Sequence, residues 1–295
     1  MRLLLAVTLF ACACASTDKP IESGGDGSPD GKTPTTERAN PSDVPISYHG
    51  GNLLTWDVAV YVIYYGGWLD QNGSWTASGG DAWLIEHFIE QLSGSSWFSI
   101  NRWYDDRNGT PATNAVHLAG RAFDAYSRGT NLGDDDVRVI VENAIAYGRL
   151  PNDPWGIYVV LPTADVAEGG FCSTDCGWHT YTQWGSEYLT YAFIGNGARC
   201  PSTCPTYSPS ANGVPAGDEM VNVLGHELSE SVTDPYFDGW YGGSEENADR
   251  CAWNFGPTFW LTNGAAANVQ IGDRYYLVQQ NWAPANPGYC TQGAW

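Results

Sequence analysis

The sequence predicts one domain of the α/β or α+β class: a central mixed sheet flanked by helices, with disulfide-stapled loops and a single helix of the zincin type. Three observations carry this. Short runs of β-branched and aromatic residues alternate with segments of helical apolar spacing, the interleaving that builds layers around a sheet. Six cysteines lie in the second half of a chain that opens like an exported protein, an even number that suits up to three disulfides. The run from Gly217 to Pro235 is an amphipathic pattern carrying His226-Glu227-Leu228-Ser229-Glu230.

The chain has 295 residues, and residues 1–15 read as a signal peptide. Met1-Arg2 precedes an apolar run from Leu3 to Phe10, too short to span a bilayer, and then small residues. Ala13-x-Ala15 fits ordinary signal peptidase, whereas Leu9-Phe10-Ala11-Cys12 resembles a lipoprotein box with Cys12 as the lipidated residue. Residues 16–44 are rich in Gly, Pro, Ser, Thr and Asp and read as a disordered tether, because they hold too little apolar surface to offset the entropy of folding. Residues 45–295 form the globular domain, whose size suits a single core.

Within it, Asp57 to Tyr65 is dense in β-branched and aromatic residues and stops at Gly66-Gly67, which predicts a buried strand. Asp81 to Leu92 repeats apolar residues at helical spacing after a Ser-Gly-Gly breaker. Asp134 to Tyr147 is a second helix, with three aspartates in its first turn where the helix dipole favours them. Gly156 to Leu161 and Tyr188 to Ile194 are strands, and Arg274 to Gln280 is a late one. Ala216 to Val232 is the motif helix, ended by Thr233-Asp234-Pro235 because the residue before a proline avoids helical backbone. Asp234 caps or braces that end.

The motif helix differs by one residue from the His-Glu-x-x-His helix of zinc hydrolases, in which two ligands four apart share a face and the Glu acts as general base. Here the second ligand position holds Glu230. His226 and Glu230 point the same way and suit one ion, since zinc accepts imidazole nitrogen and carboxylate oxygen alike. Glu246 and Asp249, downstream, are candidates for the third ligand, and Cys251 would pin their loop through a disulfide; His179, beside Cys176, is a further candidate. Glu227 would then be the base that activates water. The competing reading is a charge-paired histidine on a solvated face. Against it, the helix is otherwise apolar, and buried polar groups need partners. His49, His87 and His117 are read as structural, and the two Cys-x-x-x-Cys pairs as disulfides rather than a zinc site, given an oxidising compartment.

A formal charge of −20, with only 13 Lys and Arg, argues against nucleic acid and against anionic membrane surfaces. No membrane contact is expected beyond a lipid anchor at Cys12. Fourteen Trp and 17 Tyr supply a core and, where exposed, stacking faces for sugars or peptides.

Several segments in order resemble the Exordium (phosphate-induced protein) family of plant cell walls. They are Tyr48-His49-Gly50-Gly51-Asn52-Leu53-Leu54, Val58 to Gly66, and Glu168-Gly169-Gly170-Phe171-Cys172 through Cys176-Gly177-Trp178-His179. Ala192-Phe193-Ile194-Gly195-Asn196, Cys200-Pro201-Ser202-Thr203-Cys204 and Val232-Thr233-Asp234-Pro235 continue the series. The resemblance implies an extracellular protein tied to growth and cell-wall responses, with no established catalytic activity. The resemblance is not expected to extend to the His-Glu pair, and the leader and tether look more bacterial than plant.

Three expectations follow. One is an exported zinc-dependent hydrolase of the metallopeptidase kind, acting on a peptide or cell-wall polymer, with zinc on His226, Glu230 and Glu246 or Asp249. Another is a non-catalytic extracellular protein that binds cell-wall carbohydrate. The third is a metal that only braces the fold, so that His226→Ala unfolds the protein while Glu227→Gln changes nothing.

Overall fold

The computed structural model describes residues 44–293 and the backbone of Glu37–Arg38. The predicted signal peptide, with Cys12, lies outside the described residues, as does most of the predicted tether. Within that tether, Glu37–Arg38 pair as a short strand with Tyr289 and Cys290.

Five strands make the central sheet: β1 (Val58–Tyr65), β2 (Val116–Asp124), β3 (Ile157–Pro162), β4 (Gly177–Trp184) and β5 (Glu187–Ile194). Their spatial order is β2-β1-β3-β5-β4. The first four in that order run parallel, and β4 runs antiparallel to β5 as the edge strand. Mixed pairing follows from chain length between strands: β4 and β5 are joined by a tight turn at Gly185, while the parallel pairs need longer crossovers. β1 and β3 are buried along almost all of their length, which is why they read as continuous apolar runs rather than alternating ones.

Three helices cover the sheet: α1 (Gly79–Leu92), α2 (Asp134–Ala146) and α3 (Pro215–Thr233). One core layer joins α1, α3 and the side chains of Val58, Val60, Val62, Val159 and Leu161 on one sheet face. The other joins α2 to Tyr61, Ile63, Tyr158, Val160 and Phe193 on the opposite face. The alternation of β1 between these layers is the period-two rule of a strand. A third, smaller cluster around Ile100, Tyr104, Cys251 and Trp282 anchors the C-terminal loops. Among the described residues no helix is long and apolar enough to cross a membrane.

The predicted helices and three of the four predicted strands form, with ends moved by one or two residues. The fourth is shorter than expected: only Arg274–Tyr276 is strand, and it pairs with Val269–Ile271 in a hairpin outside the central sheet. β2 and β4 escape sequence reading because each has polar or small residues at alternate positions. In β4 His179 is the one buried position. Three disulfides close the loops: Cys172–Cys200, Cys176–Cys204 and Cys251–Cys290. Cys176 and Cys204 lie close to Glu219, but their sulfurs are bonded to each other and offer no ligand to an ion.

Candidate metal centre

α3 begins with Pro215 in its first turn and ends at Asp234, whose Oδ1 accepts from the Gly239 amide at 2.7 Å. That matches the bracing role expected of Asp234. Met220, Val221, Leu224, Leu228 and Val232 bury the helix against α1 and the sheet. The 3.6-residue period then carries His226, Glu227 and Glu230 to the side facing β4 and the loop that follows the helix. They are polar groups on an element whose last two turns are almost wholly buried.

β4 approaches this face closely at Gly177, where a Cβ would meet Val223 Cγ1 at 2.5 Å. That proximity places His179, two residues on, over α3. The side chain of His179 is 2% exposed. Its Nδ1 is 3.5 Å from Glu227 Oε2 and 3.6 Å from Glu230 Oε2, and its Nε2 is 3.7 Å from Glu246 Oε1. The Nε2 also lies 3.3 Å from the Asp234 carbonyl oxygen.

His226 faces the other oxygen of Glu230. Its Nε2 is 3.1 Å from Glu230 Oε1 and 3.4 Å from Asp249 Oδ1. Its Nδ1 is 3.4 Å from Gln279 Oε1, an acceptor that orients the ring and leaves Nε2 for the site. Gln279 is a residue that sequence reading missed; no local pattern marks it, because it reaches the site from the far end of the chain.

Glu246 and Asp249 are held by their own loop. Asp249 opens a short 3-10 turn, Asp249–Cys251, and its Oδ2 accepts from the Glu246 amide at 3.1 Å. The Asp249 amide donates to Glu230 Oε1 at 2.9 Å, tying loop to helix. Cys251–Cys290 fixes the end of that turn. The structure thus gathers all five residues singled out by the motif and its neighbours (His226, Glu227, Glu230, Glu246 and Asp249), together with His179, the further candidate beside Cys176.

Two overlapping groups have ligand atoms within 4.8 Å of one another: His226, Glu230 and Asp249, and His179, Glu230 and Glu246. The His–carboxylate separations of 3.1–3.7 Å exceed the 2.7–2.9 Å of a charge-assisted hydrogen bond for all pairs. They match the edge of a ligand tetrahedron, about 3.4 Å for metal–ligand bonds of about 2.1 Å.

The electrostatics of the metal-free cluster are those of a site loaded with protons. Burial pulls His179 down, but Glu246, Glu227 and Glu230 overrule it and hold the imidazole well above its usual range. Burial likewise opposes, and Glu230, Asp249 and Glu227 enforce, a raised value at His226. Glu230 goes the other way: burial would raise it, yet the two histidines hold it below the normal carboxylate range. Burial raises Glu227 and, more strongly, Glu246, against the pull of His179. The carboxylates around both histidines thus favour the charged imidazoles, and any ion bound there would compete with protons.

The other histidines are accounted for without a ligand role. His87 pairs with Asp273 at 2.7 Å, His117 with Asp57 at 2.8 Å, and His49 stacks on Tyr241.

The family model for the phosphate-induced protein 1 conserved region matches residues 46–290, nearly the whole described domain. The chain belongs to this family. Protein EXORDIUM-like 3 of Arabidopsis thaliana is 30% identical, the match covering 84% of this chain and 83% of that one. Protein EXORDIUM-like 5 of the same plant is 29% identical over 82% and 76% of the two chains. Protein PHOSPHATE-INDUCED 1 of Nicotiana tabacum is 24% identical over 70% of each. No solved structure matches. The Exordium resemblance drawn from the motifs is therefore correct, and the three disulfides agree with an extracellular setting.

Proposed function

We propose that this chain works outside the cell as a non-catalytic member of the Exordium family, in which a divalent cation of the zinc class on His226, Glu230 and Asp249 braces the fold. The observation that carries the proposal is the spacing of these donors on a largely buried face, 3.1 and 3.4 Å from His226 Nε2. An ion there would tie α3 to the loop of residues 245–251, reinforcing the Asp249 amide bond to Glu230 that already links them. Imidazole together with carboxylate favours zinc over calcium. The leader directs export, with Cys12 as the anchoring residue if a lipid is attached.

A bracing role is favoured over hydrolysis by the position of Glu227. It is 4% exposed and its Oε2 lies 3.5 Å from His179 Nδ1, whereas a general base must reach a substrate and its water. The hydrolase reading keeps one observation in its favour: Glu227 directly follows a ligand in the chain, as the base does in zinc peptidases. The partner is a cell-wall polymer met through exposed aromatic rings, such as Trp56 and Trp155, which pack edge to face at 4.7 Å.

The test is metal analysis of protein purified without a nickel column, followed by melting with and without chelator. Bound zinc and a chelator-dependent loss of melting temperature are expected. A metal-free protein whose melting temperature ignores chelator would end the proposal. Glu227→Gln separates the two roles: abolished hydrolysis of peptide substrates with metal still bound would replace the brace with an enzyme.

A further inference from the structure

We infer that the centre holds two cations rather than one, with Glu230 as the carboxylate shared between them. The inference rests on the metal reading proposed above and extends it to a second set of ligands: His179, Glu230 and Glu246, with Glu227 beside them.

The geometry of Glu230 carries the argument. Its two oxygens face different histidines: Oε1 lies 3.1 Å from His226 and Oε2 lies 3.6 Å from His179. One ion on His226, Glu230 Oε1 and Asp249 leaves the second group without a counter-ion. The ligand atoms of that group lie within 4.8 Å of one another, with Glu230 Oε2 3.6 Å from His179 Nδ1 and Glu246 Oε1 3.7 Å from its Nε2. His179 is the most deeply buried of the six residues, 2% exposed at the side chain, and it comes from a different element, β4.

A second, independent feature marks the same spot. Glu246 Oε1 and Asp234 Oδ2 are buried and have no hydrogen-bond partner among the described residues. Asp234 is 1% exposed, and its backbone oxygen contacts His179 Nε2. A buried carboxylate oxygen left unmet is unfavourable, and a cation beside His179 would meet Glu246 directly.

Charge balance agrees. Glu227, Glu230, Glu246 and Asp249 together carry four negative charges when ionised, and their histidine ligands must be neutral to coordinate. Two divalent cations neutralise the set. One neutralises only two of the four.

The experiment is a zinc titration of the full chain, stripped with chelator and folded with its disulfides, read by elemental analysis and by cobalt absorption after substitution. Two equivalents per chain are expected. Asp249→Asn and Glu246→Gln should each keep one equivalent, and Glu230→Ala should keep none. Glu246→Gln is chosen because it preserves size, and His179→Ala serves as a second variant, with circular dichroism confirming that each chain folds. One equivalent in the wild type, unchanged by Glu246→Gln, would overturn the second cation and leave the single-ion proposal standing. One equivalent that Glu246→Gln abolishes would overturn it too, by placing the only ion at His179. No bound zinc at all would end both.

Discussion

Removing the Cys251–Cys290 disulfide tests whether the C-terminal loop is an integral part of the centre. The bridge spans 39 residues. Chain-entropy arguments put the stabilisation from closing a loop of that length at about 4 kcal/mol. Both cysteines are buried, so the pair is best replaced by alanine in one double variant. For a domain of this size each kcal/mol corresponds to roughly 2–4 °C, so the melting temperature should fall by about 8–16 °C. The effect should reach the metal as well. Cys251 ends the turn that presents Asp249, and Glu246 lies five residues before it. With the bridge gone, that segment keeps the Asp249 amide bond to Glu230, the Trp282 amide bond to the Asn247 carbonyl at 3.0 Å, and the Arg250 bond to the Val44 carbonyl at 2.7 Å. It should loosen rather than detach, weakening zinc by about tenfold, or about 1.4 kcal/mol. Thermal melts followed by tryptophan fluorescence, paired with zinc competition against a coloured chelator, measure both quantities. A loss of stability under about 1 kcal/mol, or unaltered zinc affinity, would refute the idea that this bridge holds the ligand loop in place.

Three further outcomes are expected. Glu230→Ala removes the carboxylate that both histidines face, and breaking such a buried set should cost about 3–5 kcal/mol in denaturant melts; a change within error would show that the ion-pair set is not maintained in solution. Gly225→Ala adds a Cβ that meets Trp97 Cη2 at 2.8 Å, and that ring is fixed by its Nε1 donating to the Gln279 carbonyl at 2.9 Å. Overpacking of about 1–3 kcal/mol should outweigh the gain in helix propensity of about 1 kcal/mol, so a more stable variant would count against the tight packing of α3. Glu219 is buried, and burial holds its carboxyl well above the usual range against the pull of the Gly197 amide. A raised folded value means its favourable contribution is complete below the unfolded value and is lost as pH rises through the folded one. Wild-type stability should therefore fall from about pH 4.5 upward relative to Glu219→Gln, which keeps the acceptor for Gly197 without the charge. Parallel slopes for the two proteins, compared at equal metal loading, would contradict this.

Read alone, the sequence determined the layers and half of the centre. β1 and β3 were legible because strands buried on both faces must be apolar throughout, and α1, α2 and α3 because a helix that buries one side repeats at 3.6 residues. His226, Glu227 and Glu230 were legible for the same reason: a helix fixes which side chains share a face, so spacing alone predicts their convergence. Glu246 and Asp249 were visible only as nearby carboxylates, since nothing in a loop's sequence fixes where it folds back. The tertiary structure decided what comes from afar. β4 was obscured by its polar alternation, so His179 was visible only as a candidate beside Cys176; it reaches the site because an antiparallel edge strand crosses α3 at Gly177. Gln279 arrives from a late segment 53 residues beyond His226. The pairing of six cysteines, the bridge that pins the ligand loop, and the two-sided exposure of Glu230 to separate histidines are likewise matters of spatial proximity. Local periodicity encodes a face; it holds no record of which distant segment will be packed against it.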